Sequence, residues 1–150
     1  MKKRKVGTRP RKKRNLGRYK SSIEKYCGDQ LRSAGIAYDY EEVEYELMPS
    51  FRYSNRYLKM TAKKKELSDR SNSVQLPIRY TPDFVAKDRS WIIETKGYVP
   101  SHHDFPMRWK LFLKHLIDSD EDCAVYIAKN KKQIDEVIAD IKRLKDGSSQ

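Results

Sequence analysis

Three side chains in the middle of the sequence have types and spacing that suit work on phosphate: Asp83, Glu94 and Lys96. Asp83 follows Thr81-Pro82, and Glu94-Thr95-Lys96 comes after a further apolar run, Trp91-Ile92-Ile93. If both segments are strands, a period of two puts Glu94 and Lys96 on one face with Thr95 pointing away, and a hairpin brings Asp83 beside them. Two converging carboxylates form an oxygen-ligand site of the kind Mg²⁺ prefers, since that ion keeps several waters and takes few protein ligands. A metal held there lowers the pKa of a bound water, and a second ion clamps the attacking and leaving oxygens of an in-line displacement. Lys96 is placed to orient the nucleophile and offset developing charge, so the expected chemistry is hydrolysis of a phosphodiester. An isolated D-x(10)-E-x-K is also what a cross-strand ion pair on a solvated face would look like. Its setting favours the catalytic reading: Pro82 before Asp83, the apolar run delivering Glu94, and Gly97 directly after Lys96.

The elements that must position these groups follow from periodicity. Ser21-Ser22-Ile23-Glu24 opens a helix at about 21 to 34, with Ile23, Cys27, Leu31 and Ala34 at helical spacing and Gly35 as its stop. IAYDYEEVEYEL reads as one strand, about 36 to 47, whose alternation slips at Glu41-Glu42 as at a bulge. IRYTPDFVA and SWIIETKG flank Lys87-Asp88-Arg89-Ser90 and predict a hairpin. MRWKLFLKHLI predicts a helix with Trp109, Phe112, Leu113 and Leu116 on one face. CAVYIA predicts a buried strand, and KKQIDEVIADIKRL a closing helix with Ile134, Val137, Ile138 and Ile141 inward. The order is αβββαβα, an α/β fold with a mixed sheet flanked by helices. Between its strands, residues 48 to 76 show no sustained period; they read as an insertion with a short helix around 58 to 68. There Arg52, Tyr53, Arg56, Tyr57, Lys59 and Lys63 to Lys65 mix charge with flat rings in a way that suits nucleic-acid backbone and exposed bases, while an interface or a loop fits equally.

The 150 residues fit one domain, here 21 to 150, preceded by an arm at 1 to 20. Thirty-three Lys and Arg against 21 Asp and Glu give a formal charge of +12, which favours a polyanion as partner. The arm is dense in cations and almost without apolar residues, so it reads as a flexible strap for DNA phosphates through Lys2, Lys3, Arg4, Lys5, Arg11, Lys12, Lys13, Arg14 and Arg18. A solubilising tail has the same composition. No apolar run reaches the roughly 20 residues of a membrane-spanning helix, and no signal core follows the basic start, so the expectation is an intracellular protein that is neither secreted nor bound to a membrane. Cys27 and Cys123 are far apart and outside any ligand cluster, which predicts reduced, buried thiols. The pair His102-His103 gives no zinc pattern.

Four segments, SSIE (21 to 24), GIAYDYEE (35 to 42), YTPDF (80 to 84) and IETKG (93 to 97), occur in an order that resembles the phage endonuclease I family of Holliday-junction resolvases, members of the PD-(D/E)xK nucleases. The likeness covers about 21 to 47 and 78 to 128, and YTPDF with ETKG is its specific part. It implies a restriction-endonuclease-like fold, an intertwined homodimer, and action on four-way or other branched DNA, in the host cytoplasm if phage-encoded. It assigns catalytic roles to Glu24, Asp39, Asp83, Glu94 and Lys96. It implies Mg²⁺, with Mn²⁺ as substitute, at one or two ions per site, held by Glu24, Asp83, Glu94 and the Thr95 backbone carbonyl. In such dimers Glu24 would come from one subunit and the hairpin triad from the other. The sequence departs from the family in having Asp39 where Glu is usual, and in the length of 48 to 76.

Overall fold

A computed structural model describes residues 15 to 63, 65 to 96 and 103 to 147. Ser21 starts the first helix, α1 (Ser22–Ser33), because its side chain accepts the Glu24 amide and so satisfies an orphan donor. Gly35, at φ +68°, stops it. The Gly35 and Ile36 amides donate back to the Arg32 and Leu31 carbonyls, while Ile36 and Leu31 share the core. That pattern is a Schellman cap, and the positive φ is why glycine stands there.

The predicted first strand is two. Glu41 takes φ +50° and divides β1 (Tyr38–Tyr40) from β2 (Tyr45–Met48). A residue in the left-handed region reverses the local chain path, so what reads as a bulge is a corner. The stretch read as an insertion with a short helix is instead strands: β3 (Phe51–Tyr53), β4 (Leu58–Met60), β5 (Leu67–Asp69) and β6 (Ser73–Gln75), followed by β7 (Ile78–Tyr80). They nest as antiparallel pairs, β2 with β7, β3 with β6 and β4 with β5, and make one long two-stranded ribbon.

After the ribbon come β8 (Phe84–Ala86) and β9 (Trp91–Thr95), the predicted hairpin, with Arg89 at φ +64° in its turn. Asp88 Oδ1 accepts both the amide and the hydroxyl of Ser90 and locks that turn. Then follow α2 (Phe105–Asp118), β10 (Ala124–Ala128) and α3 (Lys131–Gly147). The main sheet runs β1-β8-β9-β10, with β9 and β10 parallel and the other neighbours antiparallel. Around this sheet the chain order is helix, three strands, helix, strand, helix.

Alternation along the hairpin divides the core. Phe84, Ala86, Trp91 and Ile93 face Cys27 and Leu31 of α1 and Ile134, Val137, Ile138 and Ile141 of α3. Val85 and Ile92 face Phe112 and Leu116 of α2, with Tyr45 and Tyr80 from the ribbon's base. A sheet buried on both sides explains the unbroken apolar run of β9. β10 differs from the buried strand its composition suggests: it is the sheet's edge, and only Ala128 is buried. Cys27 is buried and Cys123 half-buried. Among the described residues no helix is long and apolar enough to cross a membrane.

The packed domain begins before residue 21, because Tyr19 belongs to the core cluster. Arg18, read as a strap cation, is held within a tyrosine group: its guanidinium lies over the rings of Tyr19, Tyr38 and Tyr40 and donates to the Tyr38 hydroxyl. The other strap residues, Lys2 to Lys5 and Arg11 to Arg14, lie outside the described residues, as does His102.

Candidate active site

β7 ends at Tyr80, and Thr81-Pro82 carries the chain from the ribbon into the main sheet, so Asp83 sits at the entrance to β8. The Glu41 amide donates to the Asp83 carbonyl at 2.9 Å and fixes that entrance to the corner after β1. Asp83 Oδ2 accepts from the Thr95 amide at 2.8 Å and the Thr95 hydroxyl at 2.7 Å. Both bonds fall on one oxygen, which leaves Oδ1 for another partner. Glu94 Oε2 accepts from the Tyr80 hydroxyl at 2.5 Å and the Asp83 amide at 3.4 Å, and its Oε1 meets Lys96 Nζ at 3.0 Å. Lys96 Nζ also lies 4.1 Å from the centre of the Phe105 ring, a contact that keeps the ammonium at the mouth of the site. Asp83, Glu94 and Lys96 therefore share one end of the β8–β9 hairpin.

Asp83 and Glu94 are only 8% and 4% exposed, so their charges are poorly screened. Burial, and then the nearby Glu94 carboxylate, push the Asp83 carboxyl up to about 7, against the pull of its two Thr95 hydrogen bonds; Glu24 adds to the upward push. Burial and the same Glu94 charge raise the Tyr80 hydroxyl far above its ordinary value, so it remains a protonated donor.

Glu24 approaches from the first turn of α1. Its Oε2 accepts from the Lys20 amide at 2.9 Å and the Tyr40 hydroxyl at 2.7 Å. This goes beyond the capping box read from Ser21-x-x-Glu24, because the carboxylate caps the residue before Ser21 and reaches across to β1. Its charge adds to the upward push on Asp83, and the helix that carries it packs through Cys27 and Leu31 against the same sheet.

Asp39 is placed differently. Its Oδ1 pairs with Lys87 and its Oδ2 with Arg89 at 3.3 Å, both in the turn at the far end of the hairpin. Those partners, Lys87 first, hold its carboxyl below the usual range. Asp39 thus ties β1 to the turn through two cations, away from the end of the hairpin where Asp83, Glu94 and Lys96 meet.

Beside Glu94 and Lys96 opens a cleft of about 510 Å³, whose walls include Arg79, Tyr80, Phe105 and Arg108. Arg79 is tethered to Glu44 at 3.3 Å and Arg108 to Asp104 at 2.8 Å. Glu44 and Asp104 line the same cleft, so its three cations are matched by three acids and each arginine is paired within the wall. Sequence reasoning passed over Arg79, Arg108, Tyr80 and the Thr95 hydroxyl. Tyr80 carried a signal, being the first residue of the Y-T-P-D-F run, whereas the arginines have no periodic or motif signature.

A divalent cation would meet the following donors. Among the described residues no three acidic, His or Cys side chains converge closely enough to hold an ion by themselves, and no buried side-chain nitrogen or oxygen lacks a partner. Glu24 and Glu94 turn their oxygens to hydroxyl, amide and ammonium donors. Yet all the donors are hard oxygens, Asp83 keeps Oδ1, and the mutual repulsion that raises Asp83 is what a cation relieves. An ion that binds through one or two carboxylates and several waters fits this set. Against protein-family models, curated proteins and solved structures, the chain matches none.

Removing only the Tyr80 hydroxyl tests whether Glu94 is positioned by it. Tyr80→Phe is expected to lower whatever turnover the site supports about tenfold while the rings around Phe112 keep their packing, because a hydrogen bond to a charged group contributes about 1.5–3 kcal/mol. Unchanged turnover with equal unfolding midpoints would reject the positioning role.

Proposed function

We propose that this chain is a Mg²⁺-dependent endodeoxyribonuclease that hydrolyses phosphodiester bonds in four-way and other branched DNA and leaves 5′-phosphate ends, with Mn²⁺ as an effective substitute. The observation that carries the chemistry is the convergence of Asp83, Glu94 and Lys96 at one end of the hairpin, beside a cleft walled by Arg79 and Arg108. Asp83 and Glu94 would hold the cation, with Glu24 and the Thr95 carbonyl completing its shell at one or two ions per site. When bound, it would lower the pKa of a coordinated water and offset charge on the phosphate. Lys96, paired with Glu94, would orient the attacking water and take up negative charge as phosphorus becomes five-coordinate. Thr95 keeps the Asp83 carboxylate in one orientation, and Tyr80 does the same for Glu94. Arg79 and Arg108 hold the flanking phosphates, so that the in-line water and the departing 3′ oxygen are aligned.

Preference for branched DNA, and the homodimer that would make paired cuts, rest on the resemblance of YTPDF and ETKG to junction resolvases. A second reading keeps the same chemistry and directs it to unbranched duplex. Nicking of an end-labelled four-way junction and of a linear duplex of matched sequence, each with Mg²⁺ or EDTA, separates the two. Metal-dependent cutting confined to the junction supports the resolvase. Equal cutting of the duplex retains the nuclease and removes the junction preference, and no cutting with any divalent metal removes both.

A further inference from the structure

The net positive charge of this sequence lies in two segments. Residues 1 to 14 carry nine Lys and Arg and no acid, and residues 49 to 77 carry seven against two acids. All remaining residues hold 17 Lys and Arg against 19 Asp and Glu, so the body that contains the cleft is slightly acidic although the chain as a whole is +12. A body of that sign does not concentrate a polyanion; the attraction has to come from outside it.

The second of these segments is the ribbon. Its base is the β2–β7 pair, where Tyr45 stands opposite Tyr80 and Glu46 opposite Arg79. Tyr80 donates to Glu94, and Arg79 walls the cleft, so the ribbon departs directly from the candidate active site. Beyond the base every residue of β3 and β4 is exposed. The register sets Phe51 and Tyr53 on one face, and Tyr57 meets Tyr53 edge-on with ring centres 6.1 Å apart. Tyr57 also shares a depression with Lys59 and Arg70. Rings and cations thus lie together on a strip that extends, from Tyr45 to Met60, over roughly 40–50 Å at the usual rise of a strand.

We infer that this ribbon is a docking arm for double-stranded DNA, laid along the duplex that leaves the cleft, with its cations on phosphates and its rings against the groove. A two-stranded ribbon has the width that the major groove admits. Charge selects this occupant: seven cations to two acids over the ribbon match a phosphate backbone, and a second copy of the same ribbon would be repelled. The inference rests on the reading of the cleft as a site for DNA phosphodiesters, and it assigns to that site the surface that recruits its substrate.

The test measures binding, in EDTA, of the full-length chain to a fluorescent 30-base-pair duplex over a range of salt. The triple variant Lys59→Gln/Lys63→Gln/Arg70→Gln is expected to bind more weakly and to lower the slope of log K against log salt by about 3, at about 0.9 for each phosphate no longer neutralised. Phe51→Ser/Tyr53→Ser is expected to weaken binding about tenfold with the slope unchanged. All these side chains are exposed, and equal thermal midpoints establish that the variants are folded. A slope equal to that of the wild type in the triple variant overturns the arm. So does a ring variant that keeps its DNA affinity and instead changes from dimer to monomer in sedimentation, which would assign the strip to a second copy. Because no cleavage is read, loss of binding in a protein that cuts nothing retains the arm and removes the nuclease; normal binding by the triple variant with intact cutting does the reverse.

Discussion

Glu94→Gln is expected to leave DNA binding within about twofold of wild type and to lower metal-dependent cleavage at least a thousandfold, about 4 kcal/mol of transition-state stabilisation. The size follows from how many duties converge on this side chain. Glu94 accepts the Tyr80 hydroxyl, accepts the Asp83 amide and pairs with Lys96, and in the proposed site it would also supply charge for the cation. An amide in its place keeps an acceptor for Tyr80 and removes the charge, so Lys96 loses its ion pair and the cation loses a ligand. The substitution also relieves the repulsion that raises Asp83, which makes that carboxylate easier to ionise; the deficit cannot be assigned to a protonated Asp83. Initial rates on a nicked-product assay with Mg²⁺, beside binding isotherms in Ca²⁺, give both quantities. A loss smaller than tenfold would remove Glu94 from the chemistry and leave its hydrogen bonds as architecture.

Stability in EDTA is expected to fall as pH rises from about 4 to about 7, and Asp83→Asn is expected to flatten that fall. Asp83 titrates near 3.8 when unperturbed and near 7 in the folded protein. Between these values the folded chain binds a proton that the unfolded chain has released. The contribution is therefore fully present below about 4 and is lost through about 7, with a limiting slope of about 1.4 kcal/mol per pH unit for one proton. Asp39, Asp69, Asp88 and Asp140 are depressed and act the other way, but they lose their contribution only as pH falls below the ordinary carboxylate range, outside this window. At pH 8 the Asn variant should unfold at a higher temperature than wild type in EDTA. Mg²⁺ should stabilise wild type and have little effect on the variant, because a ligand of the native state adds stability in proportion to its binding. Parallel stability curves for the two proteins from pH 4 to 8 would show that Asp83 is not held near neutrality.

What could be read from the sequence is what burial leaves behind. Both long closing elements were legible because Phe112 and Leu116 in one, and Ile134, Val137, Ile138 and Ile141 in the other, must face the sheet at helical spacing. The hairpin was legible because its two strands are buried and its turn is polar. The ribbon left no such trace: β3, β4, β5 and β6 have no core to face, so no alternation is imposed, and their pairing is set by register with partners as many as 24 residues away. The division of the first strand rests on one positive φ at Glu41, a position where composition suggests only a slipped alternation. For the site, Asp83, Glu94 and Lys96 carry a spacing that a hairpin must bring together. The pairing of Asp39 with Lys87 and Arg89 depends on how far two long side chains reach back from a turn, which spacing does not encode.

The register at the ribbon's root has a further consequence. Tyr45 and Tyr80 face each other across β2 and β7 and both pack on Phe112, so the chain enters and leaves the ribbon at one anchored point on the body. The part of the ribbon beyond β2 and β7 can be lengthened, trimmed or exchanged without moving either end, since the closure is already made at the root and added length costs little. The ribbon and the body that bears the hairpin acids are therefore separable units of inheritance, and a lineage carrying this body can trade outgrowths while Asp83 and Glu94 stay where they are.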